Sequence, residues 1–429
     1  MNLTEEQLSV INSPGNRIKI KSVAGSGKTT TLYEYAKVNF DKSILVIMFN
    51  KDLRINTKEK MPVNCEVHTA NSLAYKYSKY KNRFIIDNYN VFDVMSIMNI
   101  KDINFGFLIL NQYNAFVNSS LEKIDNPGYD FYKKIKTNNV KVDHGFILKE
   151  FSLSKELTDL KYDIIMVDEA QDINPVMINL IKKINHSKEI FVGDTNQAIY
   201  GFRGASASLL NEIEVDYEYT LSKTFRFGPE IAEKVNEISL SLYGSNGFIE
   251  IQGNEQIESR IVPELNLGFY SAFITRTNAE LFEKAIEYSL MQYNISIPFD
   301  WEETSGILKD IMYLKLGMKT KIKNNLIANI PSFDILQEYI KNGNFKEINY
   351  LVKLVEVHNI AIFEYISLLE NNLSSQKYAD IIFMTAHKSK GLEFLNVEVG
   401  SDFNKNSFEE KNLIYVAATR AVKELTIKV

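Results

Sequence analysis

One cysteine, Cys65, stands in 429 residues, so the chain can form neither an internal disulfide nor a thiolate zinc site, and it suits a reducing compartment. There are only eight prolines, and no Pro/Gly/Ser-rich tract or internal repeat marks a linker. Domain limits must therefore be read from motif placement. No apolar run approaches the ~18 residues of a membrane span. The opening MNLTEEQLSV lacks the basic and apolar regions of a secretory signal. These absences predict a soluble, cytoplasmic protein with no membrane partner. An excess of positive charge is missing too: 49 basic residues against 54 acidic give a net charge of -5. Any nucleic-acid contact must then be a locally lined channel rather than bulk attraction. The length and the 45% hydrophobic content allow a large core divided among roughly two to four domains.

What is present begins with IKIKSVAGSGKTTT, Ile18 to Thr31. An alternating apolar strand breaks at Gly25 and Gly27, where consecutive backbone N–H groups can face one anion, and a helix starting near Thr29 adds its positive end. Lys28 is placed to neutralise β/γ phosphates and the Thr29 hydroxyl to ligate Mg²⁺. The strict pattern has glycine where Ser22 stands.

Short apolar runs end in polar or small residues at Ile44 to Phe49, Ile164 to Val167 and Ile190 to Val192. They read as buried parallel strands with chemistry at their carboxyl ends, where Asp168 and Asp194 lie. Phe269 to Ile274, Ile381 to Met384 and Val397 to Val399 form a second such set. The expected fold class is α/β, with two parallel-sheet domains each carrying a mainly helical insertion. The expected limits are 1–75 and 160–215 for the first domain, 76–159 for its insertion, 216–314 and 379–429 for the second domain, and 315–378 for a reduced second insertion.

Asp168, Glu169, Ala170 and Gln171 close the strand YDIIMV. An aspartate there can hold Mg²⁺ while the adjacent glutamate deprotonates the attacking water. Downstream, VGDTNQAIYGFRGA offers Gln197 as a γ-phosphate sensor, then Tyr200, Phe202 and Arg203 as groups that suit nucleobase stacking. Arg226 in KTFRF and Arg420 in YVAATRA are candidate fingers for a phosphoryl-transfer transition state. In TAHKSKGLEF, Thr385, His387, Lys388 and Lys390 precede Glu393, and the basic members can clamp backbone phosphates.

In this order and spacing the motifs resemble the superfamily 1A helicases of the UvrD/Rep/PcrA type, from Leu3 to the C-terminus. LTEEQ, SVAGSGKTT, MFNK, VDEAQD, VGDTNQAIYGFRGA, KTFRF, ITRTNAEL, MTAHKSKGLEF and YVAATRA match that family's successive motifs. SVAGSGKT, MFNK and TANSLAY are most similar to the F-box DNA helicase branch, with no F-box among the 429 residues. The resemblance implies two RecA-like P-loop domains, ATP and Mg²⁺ as cofactors, and ATP-dependent 3′ to 5′ movement on single-stranded DNA with duplex separation at single/double-strand junctions. It implies Lys28, Asp168, Glu169, Gln197, Arg226 and Arg420 as catalytic residues. Nucleotide contacts fall on Gln7, Ala24, Gly25, Ser26, Gly27, Lys28, Thr29, Thr30, Phe225 and Glu393, with Thr29 and Asp168 on the metal. Strand contacts fall on Phe49, Asn50, Thr69, Tyr200, Phe202, Arg203, Thr385 and His387. Phe225 stands where tyrosine is usual, Phe202 where tryptophan is common, and Asn71 where histidine is usual. A monomer is expected, with a nuclease or a replication or repair protein as possible partner. The alternative is a DNA-sensing ATPase subunit that works with a separate nuclease.

Overall fold

The computed structural model describes residues 3–49, 51–138, 140–201, 207–244, 248–268, 270–298, 301–345, 348–405 and 407–428. The chain divides into two units, Met1–Phe225 and Arg226–Val429.

In the first unit the strands are β1 (Arg17–Ser22), β2 (Ile44–Met48), β3 (Cys65–Thr69), the short β4 (Ile85–Ile86) and β5 (Val142–Asp143), β6 (Ile164–Val167), β7 (Lys188–Gly193) and β8 (Tyr217–Leu221). Six of them form one sheet in the order β3-β2-β6-β7-β1-β8. Every pairing is parallel. Strand β2, ILVIM, is buried along its whole length, as a central parallel strand covered on both faces must be. Alternate side chains point to opposite faces. Ile44, Val46 and Met48 join Val10, Ile18, Leu32 and Tyr35 in one core. Leu45 and Ile47 join the other, with Ile165, Val167 and Phe191.

That second core continues into the helical segment through Ile109, Tyr113, Phe131 and Phe146, so the first insertion is packed on the sheet. Its helices include Val91–Met98, Ile103–Val117, Pro127–Thr137 and His144–Leu153, and β4 and β5 pair within it.

The second unit holds β9 (Arg260–Ile261), β10 (Ser271–Thr275), β11 (Ile295–Ser296), β12 (Ile381–Thr385), β13 (Phe394–Val399) and β14 (Ala421–Ile427). They form a second all-parallel sheet in the order β11-β12-β10-β13-β14-β9. Phe269, the expected first residue of β10, lies outside the described residues. Helices Asn325–Ala328, Phe333–Lys341, Asn349–His358 and Ile362–Asn372 lie between β11 and β12.

One expected limit moves. Tyr217–Leu221 pairs with β1, so the chain leaves the first unit after Phe225 rather than at 215. The helix Trp301–Lys315 packs on Asn349–His358 and Ile362–Asn372 through its buried Leu308, Ile311 and Met312. The expected limit at 315 thus falls at the end of a helix that packs on the segment after it. No described helix is long and apolar enough to cross a membrane.

Candidate nucleotide site and strand contacts

Parallel pairing puts the carboxyl ends of β1, β2, β6 and β7 on one edge of the first sheet. After β1 the backbone turns through Gly25 (φ 71°) and Gly27 (φ 76°), conformations that side-chain-bearing residues resist. Gly27 is the N-cap of helix Lys28–Val38 and supplies no side-chain cap, which leaves the first N–H groups of that helix to an outside acceptor. Thr224 Oγ1 donates to the Ala24 carbonyl at 2.8 Å and the Phe225 N–H to the Gly25 carbonyl at 2.8 Å, pinning the loop. Ser26 Oγ is buried without a hydrogen-bond partner, as a group shaped to meet a phosphate oxygen would be.

Across the loop, Thr29 Oγ1 donates to Asp168 Oδ2 at 2.8 Å, so the two expected metal ligands are brought together. Lys28 Nζ stands 3.8 Å from Glu169 Oε1. Glu169 sits in the left-handed region at φ 55°, a strained backbone of the kind kept where a side chain must be aimed. A hydroxyl, a carboxylate and a lysine converging on a glycine-rich helix start fit a magnesium-bound triphosphate.

Burial, with the neighbouring Glu169 charge, pushes the Asp168 carboxyl up to about 6. A raised carboxyl favours folding while protonated and loses that contribution as pH rises through about 6. Asp168→Asn keeps the shape and removes the charge. A rise of this size corresponds to about 3 kcal/mol against the ionised form as an upper bound. Without nucleotide the variant is expected to melt a few degrees above wild type at pH 8, with the gap closing toward pH 4; differential scanning fluorimetry checks both.

Gln7, expected at the adenine, is 2% exposed. Its Nε2 donates to Thr31 Oγ1 at 3.1 Å and its Oε1 accepts from the Thr4 N–H at 3.0 Å, completing a capping box. A Cβ on Gly27 would lie 3.0 Å from Gln7 Nε2 and 3.5 Å from the Phe225 ring, so Gln7 and Phe225 flank the same glycine.

Gln197, 4% exposed, donates to Asp194 Oδ2 at 2.7 Å beyond the end of β7. Of the expected strand contacts, Phe49 and Tyr200 come together: their rings stack with centroids 5.0 Å apart and planes at 24°. Asn50, Phe202 and Arg203 lie outside the described residues. Thr69 ends β3 and caps helix Ala70–Tyr77, its Oγ1 accepting from the Ser72 N–H at 3.0 Å. Beneath it runs a network the sequence did not announce. His68 Nδ1 meets Ser72 Oγ at 3.1 Å and Nε2 meets Glu66 Oε1 at 2.8 Å. Burial opposes ionisation of Glu66, but bonds from Lys76, Tyr162 and His68 outweigh it and hold the carboxyl at about 2.

In the second unit both candidate fingers are braced on the same two segments. Arg226 Nε donates to Glu393 Oε1 at 2.8 Å and Nη1 to the Thr419 carbonyl at 2.8 Å. Arg420, 1% exposed, donates to the carbonyls of Val416 (2.9 Å) and Leu392 (3.3 Å) and to Thr419 Oγ1 (3.0 Å). The two arginines and Glu393 thus gather at the amino ends of β13 and β14. Thr385 and His387 sit elsewhere, at and just past the carboxyl end of β12, the opposite edge of the sheet from the arginines.

Gly-rich loop, helix start and strand-end Asp-Glu over a parallel sheet define a P-loop NTPase fold, and the second parallel sheet makes it a pair of RecA-like domains. The chain belongs to the UvrD-like helicase family: the UvrD/REP helicase N-terminal domain matches residues 40–218 and the UvrD-like helicase C-terminal domain matches 280–429. It is similar to F-box DNA helicase protein 1 of Schizosaccharomyces pombe, 28% identical over 99% of this chain and 57% of that protein. It is also similar to F-box DNA helicase 1 of Gallus gallus, 27% identical over 98% of this chain and 48% of the relative. A further relative is an ATP-dependent helicase/nuclease subunit of Lactobacillus helveticus, 26% identical over 44% of this chain and 17% of the relative. The chain spans about half the length of the first two.

Proposed function

We propose that this protein is an ATP-driven motor on single-stranded DNA that moves 3′ to 5′ and separates duplex ahead of it. The observation that carries this reading is the shared sheet edge: the Lys28–Thr29–Asp168–Glu169 cluster follows β1 and β6, and the stacked Phe49 and Tyr200 follow β2 and β7 of the same parallel sheet.

Bound ATP and Mg²⁺ would supply the scissile phosphate and the ion that neutralises it. Lys28, Gly25, Ser26, Gly27, Thr30 and the Ala24 backbone would hold the phosphates, while Thr29 and Asp168 would hold the ion. The second Nε2 proton of Gln7 and the Phe225 face serve the adenine. Glu169 takes the proton of the attacking water, Gln197 meets the γ-phosphate, and Arg226 and Arg420 stabilise the charge that develops on it. Glu393 holds Arg226 and borders the ribose. ATP binding then closes the two domains and hydrolysis reopens them. Domain limits are proposed at Phe225/Arg226 for the two cores, with the helical insertions within each.

Strand holding rests on stacking by Phe49 and Tyr200 and on backbone contacts from Asn50, Thr69, Phe202, Arg203, Thr385 and His387. Tyr200→Ala is expected to weaken oligo(dT) binding about tenfold, since one base stack is worth about 1–3 kcal/mol. Fluorescence anisotropy reads it. Phe49→Ala should do the same, and the double variant should fall short of the product, because each ring loses its partner when the other is removed.

Unwinding of 3′-tailed against 5′-tailed duplexes tests the motor. Opening of the 3′-tailed substrate alone is expected; opening of the 5′-tailed one would reverse the polarity. A second reading, a DNA-sensing ATPase subunit beside a separate nuclease, draws on the relative named as a helicase/nuclease subunit. ATP turnover stimulated by single strands with neither tailed duplex opened would favour it.

A further inference from the structure

We propose that Gln171 is a positioning residue that carries the state of the base-holding loop to the catalytic carboxylate, so that strand binding sets the rate of ATP hydrolysis. The inference rests on the reading of Glu169 as the base and of Phe49 and Tyr200 as the base-holding pair.

Gln171 is fully buried in the turn Ala170–Asp172. Its Nε2 donates to Glu169 Oε2 at 2.5 Å. Its Oε1 accepts from the Asp194 N–H at 3.0 Å. One planar amide therefore bridges the end of β6 to the end of β7. A carboxylate on one side and an N–H on the other require a donor and an acceptor in one side chain, which the glutamine amide supplies without a proton of its own to gain or lose. The fit is tight: a Cβ on Gly193 would lie 2.6 Å from Gln171 Oε1 and 2.9 Å from its backbone nitrogen. The amide cannot swing aside without losing both bonds.

From Asp194 the connection continues. Its carboxylate accepts from Gln197 Nε2 at 2.7 Å and from the Asn196 N–H at 3.1 Å, closing the turn Thr195–Gln197. Ile199, wholly buried, anchors the next step, and Tyr200 then stacks on Phe49. Phe49 is tied back to the same carboxylates by another route. It follows β2, whose Ile47 carbonyl accepts from the Asp168 N–H at 3.0 Å.

A base entering between the rings must part them by its own thickness. Phe49 directly follows the wholly buried β2, whereas Tyr200 stands seven residues past the end of β7 after a short turn, so Tyr200 and its turn give way more readily. Movement of that turn shifts the Asp194 N–H, and Gln171 transmits the shift to Glu169. Gln171 takes no proton and touches no reacting atom; it aims the carboxylate that does.

Steady-state phosphate release with and without oligo(dT) tests this in Gln171→Leu, which removes both bonds, and in Gly193→Ala, which keeps the amide but presses on its oxygen and on the Gln171 backbone nitrogen. In both, DNA-stimulated kcat is expected to fall at least about tenfold, the loss of one hydrogen bond to a charged group. KM for ATP and the oligo(dT) concentration at half-stimulation should stay within about threefold. Gln171→Asn, one methylene short, should not restore the coupling. Full stimulation in folded Gln171→Leu overturns the relay. Parallel collapse of kcat, both half-saturation values and the melting temperature in both variants overturns it too, in favour of a plain core role. Absence of stimulation in the wild type instead overturns the motor reading itself.

Discussion

Glu169→Gln is expected to bind ATP normally and to release phosphate about 10²- to 10⁴-fold more slowly, the span general-base catalysis provides. The substitution is nearly isosteric. The amide oxygen it introduces can still accept from Gln171 Nε2, so the left-handed turn has no reason to rearrange. Loss of the Glu169 charge also removes one of the two influences that push the Asp168 carboxyl up, after its burial. The metal binding proposed for Asp168 is therefore expected to be kept, and the defect to fall on the proposed proton removal alone. Binding of a fluorescent ATP analogue alongside malachite green phosphate detection separates the two. Wild-type turnover in Glu169→Gln would take Glu169 out of the base role.

Arg420→Ala is the other large effect. An arginine finger is worth about 10³–10⁵ in turnover. Arg420, the proposed finger, is also a buried cation fixed by two carbonyls and a threonine hydroxyl. Truncation would remove three hydrogen bonds from a buried site, the Thr419 hydroxyl and the Val416 carbonyl keeping only their bond to each other and that of the hydroxyl to Tyr415, so a fall in melting temperature must accompany the kinetic loss. Arg420→Lys distinguishes the two causes. It keeps the charge but not the planar fork that spans Val416, Leu392 and Thr419 at once. It is expected to fold, as circular dichroism would register, and still to lose at least about a hundredfold in kcat, within the range a finger supplies. A lysine variant with wild-type turnover would assign Arg420 to packing. Arg226→Ala, which breaks an ion pair whose Glu393 member is half-exposed, should cost turnover with a smaller change in melting temperature.

How much of this was legible in the sequence follows from how local each feature is. The phosphate loop and the Asp168–Glu169 pair are written in contiguous residues, each after a strand whose apolar run announces its burial. Their convergence on one edge then follows from parallel pairing. The limit at 215 failed for a physical reason. Tyr217–Leu221 is an edge strand with its first residues exposed, so YEYTL carries no apolar run and reads as loop although it pairs with β1. At 315 no composition shift marks that Trp301–Lys315, one continuous helix, packs with the segment after it. Other features are tertiary. Thr224 reaches back 200 residues to the Ala24 carbonyl, and Arg226 meets Glu393 across 167. No spacing rule reports such pairs. Gln171 was visible inside VDEAQD, but its second partner, the Asp194 N–H, appears only once β6 and β7 lie side by side.

Phosphate release by the purified protein, measured with saturating Mg·ATP in the absence and presence of oligo(dT), addresses the central claim most directly. The account predicts slow release without DNA and a steep rise with it, abolished in Glu169→Gln and blunted in Tyr200→Ala. Turnover that is equal with and without the single strand would contradict it.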